Sequence, residues 1–177
     1  SEGLTAYLAD HLFQEMEGLG ADYRKEMLAR YKNYVADGTD FPLSQFTSRN
    51  SAASQAIGYG KTLMLWHMLR VELGDELFLQ GLRKLYQDYK YRRVSFTDIA
   101  ILYSVLSGTD LRPFFSQCVD RTGAPALSIT VEEANANRAR IMFAQIQNDD
   151  PYELTVPVAL YYAGEAEPQV FDVSLSQ

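Results

Sequence analysis

Phe114-Phe115-Ser116-Gln117-Cys118-Val119-Asp120-Arg121-Thr122-Gly123-Ala124-Pro125-Ala126-Leu127-Ser128-Ile129-Thr130-Val131 is the stretch on which the reading of the fold turns. In its first third, Phe114, Phe115 and Cys118 fall on one face of a helix. After Gly123-Ala124-Pro125 the spacing changes, and Leu127, Ile129 and Val131 alternate with small or polar neighbours. A period near 3.6 buries one stripe of a helix, whereas a period of two buries one face of a strand. The chain is therefore read as α+β, with a mainly helical part at 1–123 and a partial antiparallel β-sandwich at 124–177.

Working back from this junction, Asp110 can cap the last helix, and Pro113 is tolerated in a first turn where its missing N–H leaves no broken bond. Ser95-Phe96-Thr97-Asp98 reads as a capping box with Asp98 in place of the usual Glu. It opens a helix through Ile99, Leu102 and Leu106 that closes at Ser107-Gly108. Asp75 can cap a helix with the face Phe78, Leu82, Leu85 and Tyr89, and Gly74 stops the one before it, which begins near Tyr59 and carries Leu63, Trp66, Met68 and Leu69. Residues 38–58 have no clear period and read as a long loop with a short helix near its end; loops above about 12–15 residues inside a compact domain are often functional. Upstream, the stripe Tyr23, Met27, Tyr31 and Tyr34 runs to about Val35 and exits at Asp37-Gly38. Leu4, Leu8, Leu12 and Met16, with Tyr7 and His11 beside them, predict an amphipathic helix over 3–17 that ends at Gly18 and Gly20. Beyond the junction, Arg138 to Ile146 and Leu154 to Tyr162 read as further strands, and Phe171, Val173 and Leu175 begin a fourth. Pro157 points to an edge or a bulge.

The chain is 47% hydrophobic and 22% charged over 177 residues, a globular composition. Its net charge of -7 argues against nonspecific nucleic-acid binding, which counterion release by clustered cations would have to drive. Lys84, Lys90, Arg92 and Arg93 read as a solvated helix end. One cysteine, Cys118, excludes an intrachain disulfide framework and a thiolate metal cluster. No apolar run reaches the roughly 18–20 residues of a transmembrane helix. The chain opens at Ser1-Glu2-Gly3, directly into helical periodicity and without an initiator Met, as a chain cut from something longer would.

Taken alone, the residues offer little chemistry. His11 and His67 belong to no short ligand spacing and read as packing residues. There is no phosphate-binding glycine loop and no G-x-S-x-G elbow. Glu2 at a helix start complements the helix dipole, an effect of roughly 0.3–1 kcal/mol.

A longer pattern adds to this. Ser1-Glu2-Gly3-Leu4-Thr5-Ala6-Tyr7 resembles the E-G-x-x-x-Y segment that follows the HExxH helix in M1 (gluzincin) zinc aminopeptidases. Tyr59-Gly60-Lys61 resembles their Y-x-K motif. The similarity continues through Leu69-Arg70, Leu73-Gly74-Asp75-Glu76, Phe78, Gly81-Leu82-Arg83, Tyr86, Asp98, Ser107-Gly108, Asp110-Leu111, Phe114-Phe115 and Gly123-Ala124-Pro125. It departs at Cys118, where the family has Trp, a change that bears on packing.

The resemblance implies a peptidase subdomain at 1–123 and the start of the family's small β-sandwich at 124–177. It implies Glu2 as a zinc ligand, Tyr59 as the catalytic tyrosine that donates to the oxyanion, and zinc and a peptide substrate for the full-length parent. The zinc histidines, the general-base glutamate and the loop that holds the substrate's amino terminus would precede residue 1. By itself the chain is expected to be inactive and without stoichiometric zinc. His11 lies nine residues from Glu2, roughly 13 Å along a helix at about 1.5 Å per residue, and one carboxylate does not replace a three-residue ligand set. Two alternatives stand beside this reading: a non-catalytic scaffold or interaction module of the same family, and epoxide hydrolysis. Uncovered apolar surface on the first helix and on the unfinished sandwich predicts that the chain self-associates.

Overall fold

The computed structural model describes residues 2–35, 38–135, 138–164 and 166–176. Seven α-helices among these residues precede four strands: α1 (Glu2–Ala6), α2 (Leu12–Met16), α3 (Gly20–Tyr34), α4 (Ala52–Gln55), α5 (Thr62–Tyr89), α6 (Phe96–Ser107), α7 (Arg112–Val119), β1 (Leu127–Asn135), β2 (Arg138–Gln145), β3 (Leu154–Leu160) and β4 (Gln169–Leu175). The chain is α+β and divides into two compact units, Ser1–Thr122 and Gly123–Gln177. None of the described helices is long and apolar enough to cross a membrane.

The helical unit is built around α5. Trp66, Leu63, Leu65 and Leu69 of its first half are buried, as is Phe78 of its second half. Gly74 adopts φ 76° and ψ 163° and breaks α5 between them, the stop its sequence position predicts. Asp75, expected as a cap, gives its carboxylate to Arg70, which donates from Nε at 2.6 Å and Nη2 at 3.2 Å. The guanidinium fork thus staples the two halves of α5 across the break.

α6 crosses α5 at Gly81, where any Cβ would overlap the Tyr103 ring. That ring stacks on Phe78 with centroids 6.3 Å apart, and its hydroxyl donates to the Phe78 carbonyl at 2.9 Å. The reciprocal capping box of Ser95 and Asp98 opens α6, and Gly108 in the left-handed region closes it. Asp110 accepts the Arg112 N–H at 3.0 Å at the start of α7.

One sequence expectation is sharpened and one needs correcting. The short helix expected near the end of the 38–58 loop is α4, opened at Ala52 by a second capping box between Ser51 and Ser54, and it runs on through the Ala56–Lys61 turn into the helix expected near Tyr59. Serine at both positions obscures the usual Ser-to-Glu signature. In the first helix the buried face is Gly3, Ala6, Tyr7 and His11. Leu8 and Met16, members of the expected apolar stripe, are exposed. A wide turn at Tyr7–His11 rotates the helix out of simple 3.6 periodicity and brings the aromatic side inward. Asp37, read as part of the exit from α3, lies outside the described residues.

The β unit consists of two antiparallel hairpins, β1–β2 and β3–β4. In the first, Ile129 faces Phe143 and Val131 faces Ile141. In the second, Leu154, Val156 and Val158 face Leu175, Val173 and Phe171. Each hairpin therefore carries one apolar face, as a partial sandwich requires. Pro157 sits opposite Asp172 in regular register, on a strand that has no second neighbour among the described residues, where its missing N–H is tolerated. The Gln145 side chain bonds both the N–H and the carbonyl of Tyr152, at 2.8 and 2.7 Å, and so fastens the start of the second hairpin to the first.

Candidate functional site

Two continuous helices of the first unit each contain a π-helical turn, Tyr7–His11 and Ala56–Lys61. Such turns displace one residue from the regular ladder and are frequent at functional sites. The second carries Tyr59, and the first turn of α1 packs against it. The approach depends on Gly3: a Cβ there would overlap the Thr62 side chain and meet the Gly58 carbonyl oxygen at 3.2 Å.

This contact brings Glu2 to Tyr59 from far away in sequence. The Tyr59 hydroxyl is held above the usual tyrosine pKa by partial burial first, then by the charge of the Glu2 carboxylate and a hydrogen bond to it, with Arg49 opposing. At neutral pH Tyr59 is therefore a protonated donor. Beside it opens a cavity of about 640 Å³ lined by Asp10, Tyr23, Glu26, Arg30, Gln55 and Tyr59 among others. Its size lies within the range of ordinary small-ligand clefts, roughly 300–1,000 Å³.

Lys61, two residues after Tyr59, does not line that cavity. Its Nζ donates to the Arg121 carbonyl at 2.7 Å, and burial lowers its pKa. The lysine of this motif thus ties the tyrosine-bearing turn to the end of the helical unit. Cys118 is buried nearby, its thiol pushed up to about 12 by burial. It is a small packing group, as its sequence context suggests.

The two histidines lie together in a network of aromatic and charged side chains. His11 is fully buried, stacked on Tyr7 with centroids 4.8 Å apart. Arg24 Nη1 lies 2.8 Å from its Nε2. A guanidinium can only donate, so Nε2 accepts and the proton sits on Nδ1, which faces Glu15 at 3.6 Å. His67 is half-buried, and burial first, then Arg24, His11 and Arg70, lower its pKa to about 4. Arg70 joins the group to Glu15 and Tyr7, donating at 3.1 and 3.4 Å. No sequence spacing announces this network; its members come from α2, α3, α5 and the Tyr7–His11 turn.

Among the described residues no three His, Cys, Asp or Glu side chains converge as a metal site.

No family model matches the chain. It is 34% identical over 82 residues to an aminopeptidase N of Lactococcus lactis, covering 46% of this chain and 10% of that protein. It is 22% identical over 116 residues to a probable aminopeptidase 1 of Sulfurisphaera tokodaii, covering 66% and 15%. Its fold matches a crystal structure of Legionella pneumophila aminopeptidase A in complex with aspartic acid, with TM-score 0.57 and 20% identity over 98% of this chain and 20% of that one.

Over part of its length the chain is distantly similar to M1-family zinc aminopeptidases. It spans 10–15% of the length of the curated relatives it matches.

Proposed function

We propose that this chain is part of a zinc aminopeptidase that removes amino-terminal residues from peptides, with Ser1–Thr122 belonging to the catalytic domain and Gly123–Gln177 to an incomplete β-sandwich. The observation that carries this reading is the pairing of Glu2 with the Tyr59 turn through Gly3. Residues matching two separate family motifs meet there, and one of them, Tyr59, also lines the cavity.

In this reading Glu2 completes a zinc ligand set whose other members lie outside the chain. Bound there, zinc would polarise the scissile carbonyl and acidify a water molecule. The chain's own chemical contribution is Tyr59. Its protonated hydroxyl donates a hydrogen bond to the oxyanion that develops as the carbonyl carbon becomes tetrahedral, and it gains strength as negative charge accumulates. The 640 Å³ cavity gives the peptide a wall beside that donor.

Tyr59→Phe in the full-length protein tests the assignment. Loss of one oxyanion donor lowers kcat about a hundred- to a thousandfold, with zinc content unchanged, whereas Glu2→Gln lowers zinc content as well. A Tyr59→Phe enzyme with unaltered kcat refutes the role.

A second reading, a non-catalytic interaction module, has an observation of its own. Leu8, Phe13, Met16 and Leu19 are exposed on and just after the first helix, at 38, 61, 85 and 48%. Such a surface favours self-association of the isolated chain. Sedimentation across a dilution series should show a dimer that dissociates on dilution; a monomer at high micromolar concentration counts against it.

A further inference from the structure

The loop ahead of α4 reaches Tyr59 from two directions. Phe46 stands edge-on to its ring, with centroids 6.2 Å apart and planes at 86°. The Arg49 guanidinium carbon lies 5.9 Å from the same ring's centroid, within the distance at which an aromatic face attracts a cation.

Phe46 has room there only because residue 58 is glycine, since any Cβ at that position would overlap its ring. Gly58 lies inside a helix and is not among the glycines with positive φ. Glycine is therefore not needed for backbone conformation, and inside a helix it is less stabilising than alanine. What it supplies is space for Phe46.

The loop is anchored at both ends. Tyr31 donates to Asp40 at 2.9 Å, and Asp40 accepts the Phe41 N–H at 2.9 Å. Leu43 is buried, and the Ser51–Ser54 box fastens the far end. Phe46 and Arg49 project from between these fixed points.

A tyrosine on a helix keeps a choice of χ1 rotamers, and a misplacement of about 1 Å at a reacting group can cost a hundredfold in rate. We propose that Phe46 and Arg49 are positioning residues for Tyr59, fixing its ring and the direction of its hydroxyl from the loop as well as from the helix that carries it. The clamp is a property of this chain; its catalytic consequence rests on the assignment of Tyr59 as oxyanion donor.

The test follows isotope-labelled Tyr59 ring signals by NMR, together with kcat and KM of the full-length protein. Arg49 is exposed, so Arg49→Ala should fold normally. It is expected to shift or broaden the Tyr59 ring signals and to lower kcat about tenfold with KM little changed, and Arg49→Lys, which keeps the cation, restores most of both. Gly58→Ala drives Phe46 away and reproduces Phe46→Ala; in the Phe46→Ala background it adds no further loss, because the ring it would strike is gone. Unchanged Tyr59 signals in Arg49→Ala and Gly58→Ala, or losses from Gly58→Ala and Phe46→Ala that multiply, overturn the proposal. Ring signals that move as expected while Tyr59→Phe leaves kcat intact refute the oxyanion role and leave the clamp standing.

Discussion

The helical unit and the β unit are made of similarly apolar sequence, yet they use it differently. In the first, Tyr7, Trp66, Tyr103, Leu63 and Leu69 are fully enclosed and share one core with Ile99, Leu102 and Phe115. Large aromatic side chains bury roughly 150–250 Å² each, which at about 25 cal/mol per Å² is on the order of 4–6 kcal/mol of transfer free energy apiece before entropy is subtracted. In the second, Ile129, Val131 and Val170 remain 61, 63 and 62% exposed. Two-stranded ribbons have one layer each and are marginal alone. The lesson is that matching the period of a structure is enough to form the element, but only a second layer turns its apolar face into stability.

Core truncation should separate the units most widely. Trp66→Ala, which empties the centre of the helical unit, is expected to cost about 3–5 kcal/mol by denaturant unfolding. A cost below about 1 kcal/mol would show that the helical unit draws its stability from somewhere other than this core.

Acid offers a sharper probe of the same unit. The folded pKa of His67 is lowered to about 4 from 6.5, and that of His11 is also lowered. A group whose folded pKa lies below its unfolded value binds more protons when unfolded, so folding stability falls as pH drops. For His67 the loss begins near pH 6.5 and is drawn out down to about 4. The fall should be present in unfolding midpoints of the natural chain and reduced in His67→Gln; equal slopes in the two would contradict the burial of neutral His67. Tryptophan fluorescence from Trp66, the only tryptophan, reports the helical unit directly.

The smallest effect belongs to the hairpins. Ile129→Ala is expected to change stability by no more than about 0.5 kcal/mol at low concentration, as for other exposed sites. A larger cost that grows with protein concentration would mean that the hairpin face becomes covered between copies of the chain.

Several local features of this fold were legible beforehand because they depend on neighbours in sequence. The change of period at Gly123-Ala124-Pro125 separates helices from strands, the Ser95–Asp98 box opens α6, and Gly74 breaks α5. The Ser51–Ser54 box was missed because serine at both ends carries no charged signature, and the buried side of the first helix was misjudged because a π-helical turn shifts its phase. Glu2 and Tyr59 could be nominated from motif resemblance, each alone in its own stretch. Nothing local indicated that Phe46 and Arg49 flank Tyr59, or that Arg24 and Arg70 enclose the two histidines.

By itself, then, the sequence determined where helices give way to strands, several of the helix starts and stops, and which motifs could bear chemistry, since propensity, capping and periodicity act over a few residues. Only the tertiary structure decided which of those residues meet. Gly3 against Thr62, Gly58 beneath Phe46 and Gly81 against Tyr103 are close approaches between segments distant in the chain. Packing of this kind depends on the shape of both partners at once, and a stretch of sequence describes only one of them.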